Sequence, residues 1–239
     1  MKKVTITSFS MLGGRENNED SCAFRSENRR TVALVADGLG GMADGEKASA
    51  LVTEKGCEWL MEAKDLSRAS ITQIVSRLNA AILALQLESG SDMMTTLTGA
   101  VIEGRHFVLF HVGDSRYLRL RKGRILCRSK DHSAVQGMVE LGELKREDIP
   151  QHPSRNLLLR VLGQLEQPVP EIHMGHLFGK DRILLSTDGF WEKLSEKELA
   201  GRLQDGDPHQ MMDELKLLAL ERADEGSDNM TALLITLEK

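Results

Sequence analysis

The amino-acid sequence predicts an α+β fold, in which hairpin-rich antiparallel sheets carry helices on their outer faces. Three observations support it: short strand patterns joined by tight links, amphipathic helix patterns in separate stretches, and no repeat or low-complexity linker dividing the chain. A chain of 239 residues is long enough to bury a sizeable core. We therefore expect one domain over residues 1–239.

The strand patterns are of two kinds. Residues 4–10 alternate between apolar and polar side chains, as a half-buried strand does, whereas residues 31–36 are almost all apolar, which is typical of a central strand. Tight links at 104–105, 113–115 and 122–123 join four strand patterns into antiparallel hairpins. The predicted strands cover residues 4–10, 22–25, 31–36, 95–103, 106–112, 117–121, 124–128, 171–177, 182–186 and 230–237.

The helix patterns place apolar residues three or four positions apart. One covers residues 45–61 and another covers 70–87, and we expect these two helices to pair as a layer over a sheet. The sequence from Ser195 to Glu198 is a capping box that opens a short helix. The remaining predictions are helices over 133–141 and 208–223 and a polar flap over about 137–156.

Composition and charge exclude several classes of protein. The chain has 31 Lys and Arg against 36 Asp and Glu, so its net charge of −5 gives no cationic excess for binding a nucleic-acid backbone. Cys22, Cys57 and Cys127 are odd in number and far apart, which predicts free thiols in a reducing compartment. The sequence has no apolar run long enough to span a membrane. We therefore expect a cytoplasmic protein without nucleic-acid or membrane partners.

Acidic residues recur where predicted strands begin or end. Asp37-Gly38 and Asp188-Gly189 each follow an apolar strand, and Asp228 precedes the last strand. A lone Asp at such a place is usually a turn or cap residue, but the recurrence favours one shared site of carboxylates. Oxygen ligands of this kind suit Mn²⁺ or Mg²⁺ rather than Zn²⁺. The complete set of motifs lies at residues 15–20, 35–41, 113–116, 131–133, 186–189 and 228–231.

Three other interpretations of the motifs fail on position or spacing. Residues 38–43 fit a dinucleotide-binding fingerprint, but helix patterns over 45–87 replace the second strand that the fingerprint requires. The block at 113–115 resembles that of some serine esterases, yet it lies in the middle of the chain and not near the N-terminus. His173 and His176 would face opposite sides of a strand, so a shared metal is not expected.

Two residues within the motifs are expected to be structural. Asp131 lies beside a predicted helix start, and His132 is expected to belong to a turn or helix cap.

Arg15 is a different case, because it precedes Glu19 and Asp20 by four and five residues. A guanidinium next to carboxylates and metals can bind two oxygens of a phosphate ester.

In chain order, these motifs resemble the metal-dependent type-2C (PPM-type) serine/threonine protein phosphatases, most closely the bacterial branch. The resemblance also includes Thr95-Thr96, Arg160-x-Leu162-Gly163 and the segment 152–156, and it runs from about residue 4 to residue 237. Each motif is weak by itself, but the ordered set is highly specific. The resemblance implies a four-layer α-β-β-α sandwich, in which two antiparallel sheets are flanked by helix pairs.

The resemblance also implies a metal cleft at one end of the sandwich. Asp37 would bridge two Mn²⁺ or Mg²⁺ ions. The Gly38 carbonyl would complete one of the two sites, and Asp188 and Asp228 would complete the other. A hydroxide bridging the ions would attack the phosphorus directly, with no covalent enzyme intermediate, because the ions lower the pKa of the shared water.

Further residues are assigned by the same resemblance. Asp114 would contribute to a third metal site, while Glu19 and Asp20 would act nearby, Glu19 through water and Asp20 partly through water. Arg15 would hold the substrate phosphate. Leu39 is a departure from animal-type members, which carry a histidine there as general acid; bacterial members also lack it, and a water at the third site is the expected proton donor.

The expected activity is hydrolysis of phosphoserine and phosphothreonine in proteins, reversing the action of a eukaryote-like bacterial kinase. The expected partners are phosphorylated proteins, including a Ser/Thr kinase, and the chain is expected to be a monomer. Two alternatives stay open. One is a phosphatase-like domain that binds a partner without catalysis, and the other is a metal-dependent phosphatase acting on a small molecule.

Overall fold

A computed structural model of the chain describes residues 4–39 and 44–237. The strands are β1 (Val4–Met11), β2 (Asp20–Glu27), β3 (Arg30–Leu39), β4 (Met94–Thr95), β5 (Leu97–Glu103), β6 (His106–Val112), β7 (Arg116–Arg121), β8 (Arg124–Arg128), β9 (Glu171–His176), β10 (Asp181–Ser186) and β11 (Met230–Leu237). The helices are α1 (Gly45–Glu62), α2 (Arg68–Ser89), α3 (Ala134–Leu141), α4 (Asp188–Trp191), α5 (Glu196–Arg202) and α6 (Pro208–Glu221), with a 3₁₀ helix at Arg146–Gln151.

The strands form two antiparallel sheets. The first has the order β1-β11-β10-β7-β8, and the second has the order β2-β3-β5-β6-β9, with the short β4 paired to β3. The link between β6 and β7 passes from the second sheet to the first. Tight turns join three pairs of neighbouring strands, which are β2–β3, β5–β6 and β7–β8, while β11 is inserted between β1 and β10.

The central strands β3, β10 and β11 are buried on both faces, because helices cover the outer face of each sheet and the other sheet covers the inner face. Successive side chains in a strand point to opposite faces. In β3, Val32 and Leu34 pack against α1 and α2, whereas Ala33 and Val35 face the first sheet. In β11, Leu234 packs against α5 and α6, whereas its neighbours contribute to the layer between the sheets. Three apolar layers result, and the predicted four-layer α-β-β-α sandwich is confirmed.

Local sequence signals set several helix boundaries. The Ser195 side chain accepts a hydrogen bond from the Glu198 amide while the Glu198 carboxylate accepts one from the Ser195 amide, so the predicted capping box is present. Asp207 caps α6 ahead of Pro208, which needs no hydrogen-bond partner at the first helical position. The helix α2 ends at Gly90 with φ of 72°.

The structure adds three short elements that the sequence patterns did not predict. These are β4, the one-turn helix α4 that begins at Asp188, and the 3₁₀ helix inside the predicted flap. Residues 40–43, which belong to the rejected dinucleotide fingerprint, lie outside the described residues. Within the described ranges, no helix combines the length and apolar character needed to cross a bilayer.

Candidate active site

A cleft of about 370 Å³ lies at one end of the sandwich, where strands of both sheets begin or end. Seven of the eight site residues predicted from the sequence line it: Arg15, Glu19, Asp37, Gly38, Asp114, Asp188 and Asp228. The eighth, Asp20, is 9% exposed and lies opposite Asp37 in the β2–β3 pair. The structure therefore brings the whole predicted set together from segments far apart in the chain.

The topology explains why these carboxylates meet. Asp37 is near the end of β3, and its cross-strand neighbour is Asp20 at the start of β2. Asp114 lies in the link that passes from one sheet to the other. Asp188 follows β10 and Asp228 precedes β11, and these two strands are paired. Both sheets therefore contribute acidic side chains to the same end of the molecule.

Gly38 allows three backbone segments to approach one another. Its amide donates a hydrogen bond to the Glu19 carbonyl over 3.0 Å. A Cβ atom at this position would lie 2.3 Å from the Gly45 carbonyl oxygen and 2.6 Å from that of Glu19. No side chain larger than hydrogen fits there without a shift of backbone, which is why the chain has glycine beside the cleft.

The cleft is electrostatically unfavourable to its own carboxylates. Burial raises the pKa of Asp37 well above its usual range, and the negative charges of Asp188, Asp20 and Asp114 raise it further. Burial also raises the pKa of Asp20 to about 7 and that of Asp188 to about 6. These carboxylates are surrounded by protein even though Asp37 and Asp188 keep part of their surface open to the cleft. Ionising them together requires added positive charge.

Two more acidic residues show the same effect. Burial and the charge of Asp188 raise the pKa of Asp114 well above its usual range. Burial, followed by the charge of Glu46, raises the pKa of Glu19. Arg15 is the one basic side chain among the described residues that line the cleft, and its Nη2 lies 2.9 Å from Asp228 Oδ2. One guanidinium cannot neutralise this many carboxylates.

Unpartnered oxygen atoms show that the site fits divalent cations. Asp20 Oδ1 and Asp188 Oδ1 are buried and have no hydrogen-bond partner among the described residues. The other Asp20 oxygen accepts a hydrogen bond from Thr187 Oγ1 over 2.8 Å. Buried charged oxygens without partners are costly unless a cation compensates them. Aspartate carboxylates and a backbone carbonyl are the ligands that Mg²⁺ and Mn²⁺ prefer.

Hydrogen bonds that fix the backbone at Asp37 and Glu19 come from residues not assigned a role from the sequence. The Asp37 amide donates to Thr96 Oγ1 over 3.0 Å, and Thr95 Oγ1 donates to the Asp37 carbonyl over 2.8 Å. Asn229 Oδ1 accepts from the Glu19 amide over 2.8 Å. Thr95, Thr96 and Asn229 belong to motifs that the sequence singled out. Their hydrogen-bond partners could not be predicted, because these lie in distant segments of the chain.

Leu39 lines the cleft at the position where animal-type phosphatases of the resembled family carry a histidine. The residues that line the cleft within the described part of the chain include no histidine, so none can donate a proton there. Asn156, the last residue of the predicted flap, and Leu158 also line the cleft. Asp131 is outside the cleft lining and pairs with the Arg116 guanidinium over 2.6 and 2.7 Å.

Comparisons with known proteins agree with this geometry. Residues 10–234 match the family model described as Protein phosphatase 2C. The chain is 35% identical over 232 residues to the serine/threonine protein phosphatase PstP of Mycobacterium tuberculosis, with 92% of this chain and 42% of PstP covered. It is 29% identical over 232 residues to the serine/threonine phosphatase stp of Listeria welshimeri, with 92% and 90% covered.

A solved structure extends the likeness to three dimensions. The catalytic domain of PstP, in complex with two manganese ions, superposes with a TM-score of 0.86 and 29% identity over 100% of both chains. The present chain thus spans less than half of the full-length Mycobacterium relative and nearly all of the Listeria relative.

Proposed function

Because this chain belongs to the protein phosphatase 2C family, we propose that it hydrolyses phosphoserine and phosphothreonine in proteins with the help of bound divalent cations. The observation that carries the proposal is the cleft itself. Carboxylates from both sheets converge there, their pKa values are raised, and two of their oxygens have no partner in the described structure. Relatives named as serine/threonine phosphatases support the choice of substrate.

The family resemblance implies which residues would hold the cations, and their convergence at the cleft supports that assignment. Asp37 would be a ligand of both ions, the Gly38 carbonyl would contribute to one site, and Asp188 and Asp228 would contribute to the other. When bound, Mn²⁺ or Mg²⁺ supplies a water of lowered pKa and offsets the charge of the phosphate. The manganese ions in the PstP catalytic domain support this choice of metal.

The remaining acidic residues have supporting roles in the proposal. Asp114 would contribute to a third cation site, because it faces the same cleft and its pKa is raised by burial and by the charge of Asp188. Asp20 would act partly through water and would hold its ligand-facing oxygen toward the cleft, since Thr187 fixes the other oxygen. Glu19 would act through water at the edge, where it is only partly buried.

Arg15 would bind the phosphate of the substrate. Its guanidinium is 56% exposed and its partner Asp228 is 41% exposed, so both are accessible from the cleft. A planar guanidinium can donate two parallel hydrogen bonds to phosphate oxygens. If Asp228 holds a cation, the Arg15 guanidinium would be free of this ion pair and could turn to the substrate.

The substrate and setting extend the same proposal. We assign residues 1–239 to one phosphatase domain. Its flap at about 137–156 reaches the cleft at Asn156 and would contact a protein substrate. All the site residues belong to one chain, which supports activity as a monomer. Cys22, Cys57 and Cys127 are free, as expected in the cytoplasm, where substrates of a eukaryote-like bacterial kinase would be encountered.

The test is the Asp37→Asn variant, assayed with p-nitrophenyl phosphate and with a phosphothreonine peptide in Mn²⁺. Losing the charge of the shared ligand should lower kcat by roughly a hundredfold or more, as removal of a main transition-state stabiliser does. The matched control is Asp205→Asn, which makes the same change at an exposed ion pair with Lys180. Activity that survives Asp37→Asn would rule out the bridging role.

Two measurements separate the alternatives. Calorimetry with Mn²⁺ on the wild-type protein distinguishes an enzyme from a phosphatase-like binding domain, because the binding domain would not take up metal. Comparing kcat/KM for phosphopeptides and for small phosphate esters distinguishes a protein phosphatase from an enzyme acting on small molecules. A preference for the small esters would overturn the proposed substrate class.

A further inference from the structure

A cluster of His111, His132 and Glu171 adjoins the turn that carries Asp114. One ligand-type atom from each of these side chains lies within 4.8 Å of the others. The His111 and His132 rings stack with centroids 4.4 Å apart, and His111 Nε2 is 3.6 Å from Glu171 Oε2. His111 is fully buried, and neither of its ring nitrogens has a hydrogen-bond partner among the described residues. None of these three side chains has a role in the proposed reaction.

Two histidines and a glutamate have the composition of a zinc site, but one hydrogen bond excludes His132 as a ligand. The Gly113 amide donates to His132 Nδ1 over 3.2 Å. A neutral imidazole has one nitrogen with a free lone pair, so Nε2 of His132 carries the proton. A metal could bind His132 only if this bond were broken or the ring lost a second proton. The geometry therefore favours a structural function for His132.

We propose that His132, through Nδ1, positions the Gly113-Asp114 turn so that the Asp114 carboxylate faces the cleft. The contact is reciprocal, because the His132 amide donates to the Gly113 carbonyl over 3.0 Å. Both polar groups of the Gly113 backbone are thereby bonded to one residue. This inference rests on the proposed function, in which Asp114 contributes to a cation site.

The turn needs such support because its conformation is unusual. Gly113 has φ of +99°, which side chains other than glycine rarely adopt, and a Cβ atom there would lie 2.7 Å from Thr96 Cγ2. Next to it, the Asp114 carbonyl accepts a hydrogen bond from Trp191 Nε1 over 3.1 Å. Trp191 is in turn covered by the Arg116 guanidinium at 3.3 Å from the ring. The peptide groups on both sides of Asp114 are therefore held.

The surroundings of His132 keep its ring in the form that accepts a hydrogen bond. Burial, followed by the charges of His111 and Arg160, lowers the pKa of His132 to about 3, so the ring is neutral in neutral solution. Stacking against His111 fixes the plane of the ring. The Nδ1 lone pair is consequently available to the Gly113 amide without competition from a proton.

A pair of isosteric variants tests the proposal. In His132→Asn the amide oxygen takes the place of Nδ1, whereas in His132→Gln the polar end takes the place of Nε2. We expect His132→Asn to keep Mn²⁺ binding and kcat close to wild type. We expect His132→Gln to weaken the lowest-affinity Mn²⁺ site in calorimetry by about 10–100-fold, the usual cost of losing a group that orients a metal ligand. In His132→Gln, kcat should fall more than KM rises.

Two further measurements keep the test decisive. Nitrogen-15 NMR of wild-type protein should find His132 unprotonated at Nδ1 and protonated at Nε2, which does not depend on any variant folding. Thermal denaturation of both variants separates loss of fold from loss of position. Equal impairment of the Asn and Gln variants, a proton on Nδ1, or tight Zn²⁺ binding that His111→Ala abolishes would each overturn the proposal. Activity of Asp37→Asn would instead overturn the proposed function and leave these results unaffected.

Discussion

At the scale of single residues, the Arg15 guanidinium pairs with Asp228 and is proposed to bind the substrate phosphate as well. The Arg15→Ala variant should bind the phosphate ester less tightly, because charge-assisted hydrogen bonds contribute about 1.5–3 kcal/mol each. We expect KM for p-nitrophenyl phosphate to rise about 10–100-fold while kcat falls less. Arg15→Lys should recover only part of the loss, since an ammonium group cannot form the planar pair of bonds. An unchanged KM in Arg15→Ala would remove Arg15 from the phosphate site.

Residues of the candidate site differ in how far the sequence could predict them. Asp37 could be predicted, because an Asp-Gly step after an apolar strand marks the strand end. The hydrogen bonds made by Thr96 and Trp191 could not, because their partners are far away in the sequence and no local pattern records which segments meet. The sequence predicted that His132 belongs to a turn or helix cap. The hydrogen bond from the Gly113 amide, which defines the tautomer of His132, is visible only in the structure.

At the scale of elements, Asp181 joins β7 to the start of β10. Its carboxylate is fully buried and accepts hydrogen bonds from Arg121 and, over 2.8 Å, from Arg119 Nη2. It also accepts one from the Phe178 amide over 2.9 Å, which closes the turn before β10. Arg119 is itself only 9% exposed. One anion shared by two guanidinium groups therefore links the two strands at this end of the pair.

Removing the Asp181 carboxylate should strongly destabilise the folded protein. The Asp181→Ala variant leaves the buried Arg119 without its countercharge, which costs about 3–5 kcal/mol in the free energy of unfolding. Urea denaturation measures this, and the control is Asp205→Ala, whose exposed pair with Lys180 should contribute within about 0.5 kcal/mol. If both variants lose the same small amount, the shared anion is not what holds this strand pair together.

The elements that the sequence predicted are those long enough to show a hydrophobic periodicity. The strands His106–Val112, Arg124–Arg128 and Met230–Leu237 agree with their predicted bounds, because each is bordered by glycine or polar turns. The helix at Asp188–Trp191 has four residues and β4 has two, which is too short for any hydrophobic periodicity. Their existence depends on contacts with β11 and β3.

At the scale of the whole molecule, the acidic cleft couples metal binding to stability. In the metal-free protein the pKa of Asp20 is about 7 and that of Asp188 about 6, against 3.8 for an unperturbed aspartate. The folded state thus binds more protons than the unfolded state between about pH 4 and 7. The free energy of unfolding should fall as pH rises through this window, because these carboxylates lose protons at a higher cost when folded.

Cations should reverse this loss, since they compensate the ionised carboxylates. We expect Mn²⁺ to raise the melting temperature more at pH 8 than at pH 5, with about 2.7 kcal/mol gained at a hundred times the dissociation constant. Calorimetric melting in chelator and in Mn²⁺ at both pH values measures it. In chelator, Asp20→Asn should show a weaker pH dependence than wild type. Metal stabilisation of equal size at both pH values would contradict the coupling.

The architecture as a whole was predicted by two different arguments. Strand and helix periodicity predicted antiparallel sheets with helices outside, but it could not decide which strands share a sheet. The four layers were predicted only from the resemblance to a family. Periodicity could not predict them, because the order β1-β11-β10-β7-β8 pairs segments more than 200 residues apart. Pairing at such distances depends on the whole set of inward-facing side chains, which no short window contains.

The position of β11 has a consequence for synthesis on the ribosome. It is the last strand of the described chain, yet it lies between β1 and β10, and Asp228 directly precedes it. Chains grow at about 5–20 residues per second, so β1 and β10 wait for several seconds or more without the strand that joins them. A nascent chain halted before residue 230 would expose two unpaired strand edges. Chaperones should therefore bind such a chain until its final strand emerges.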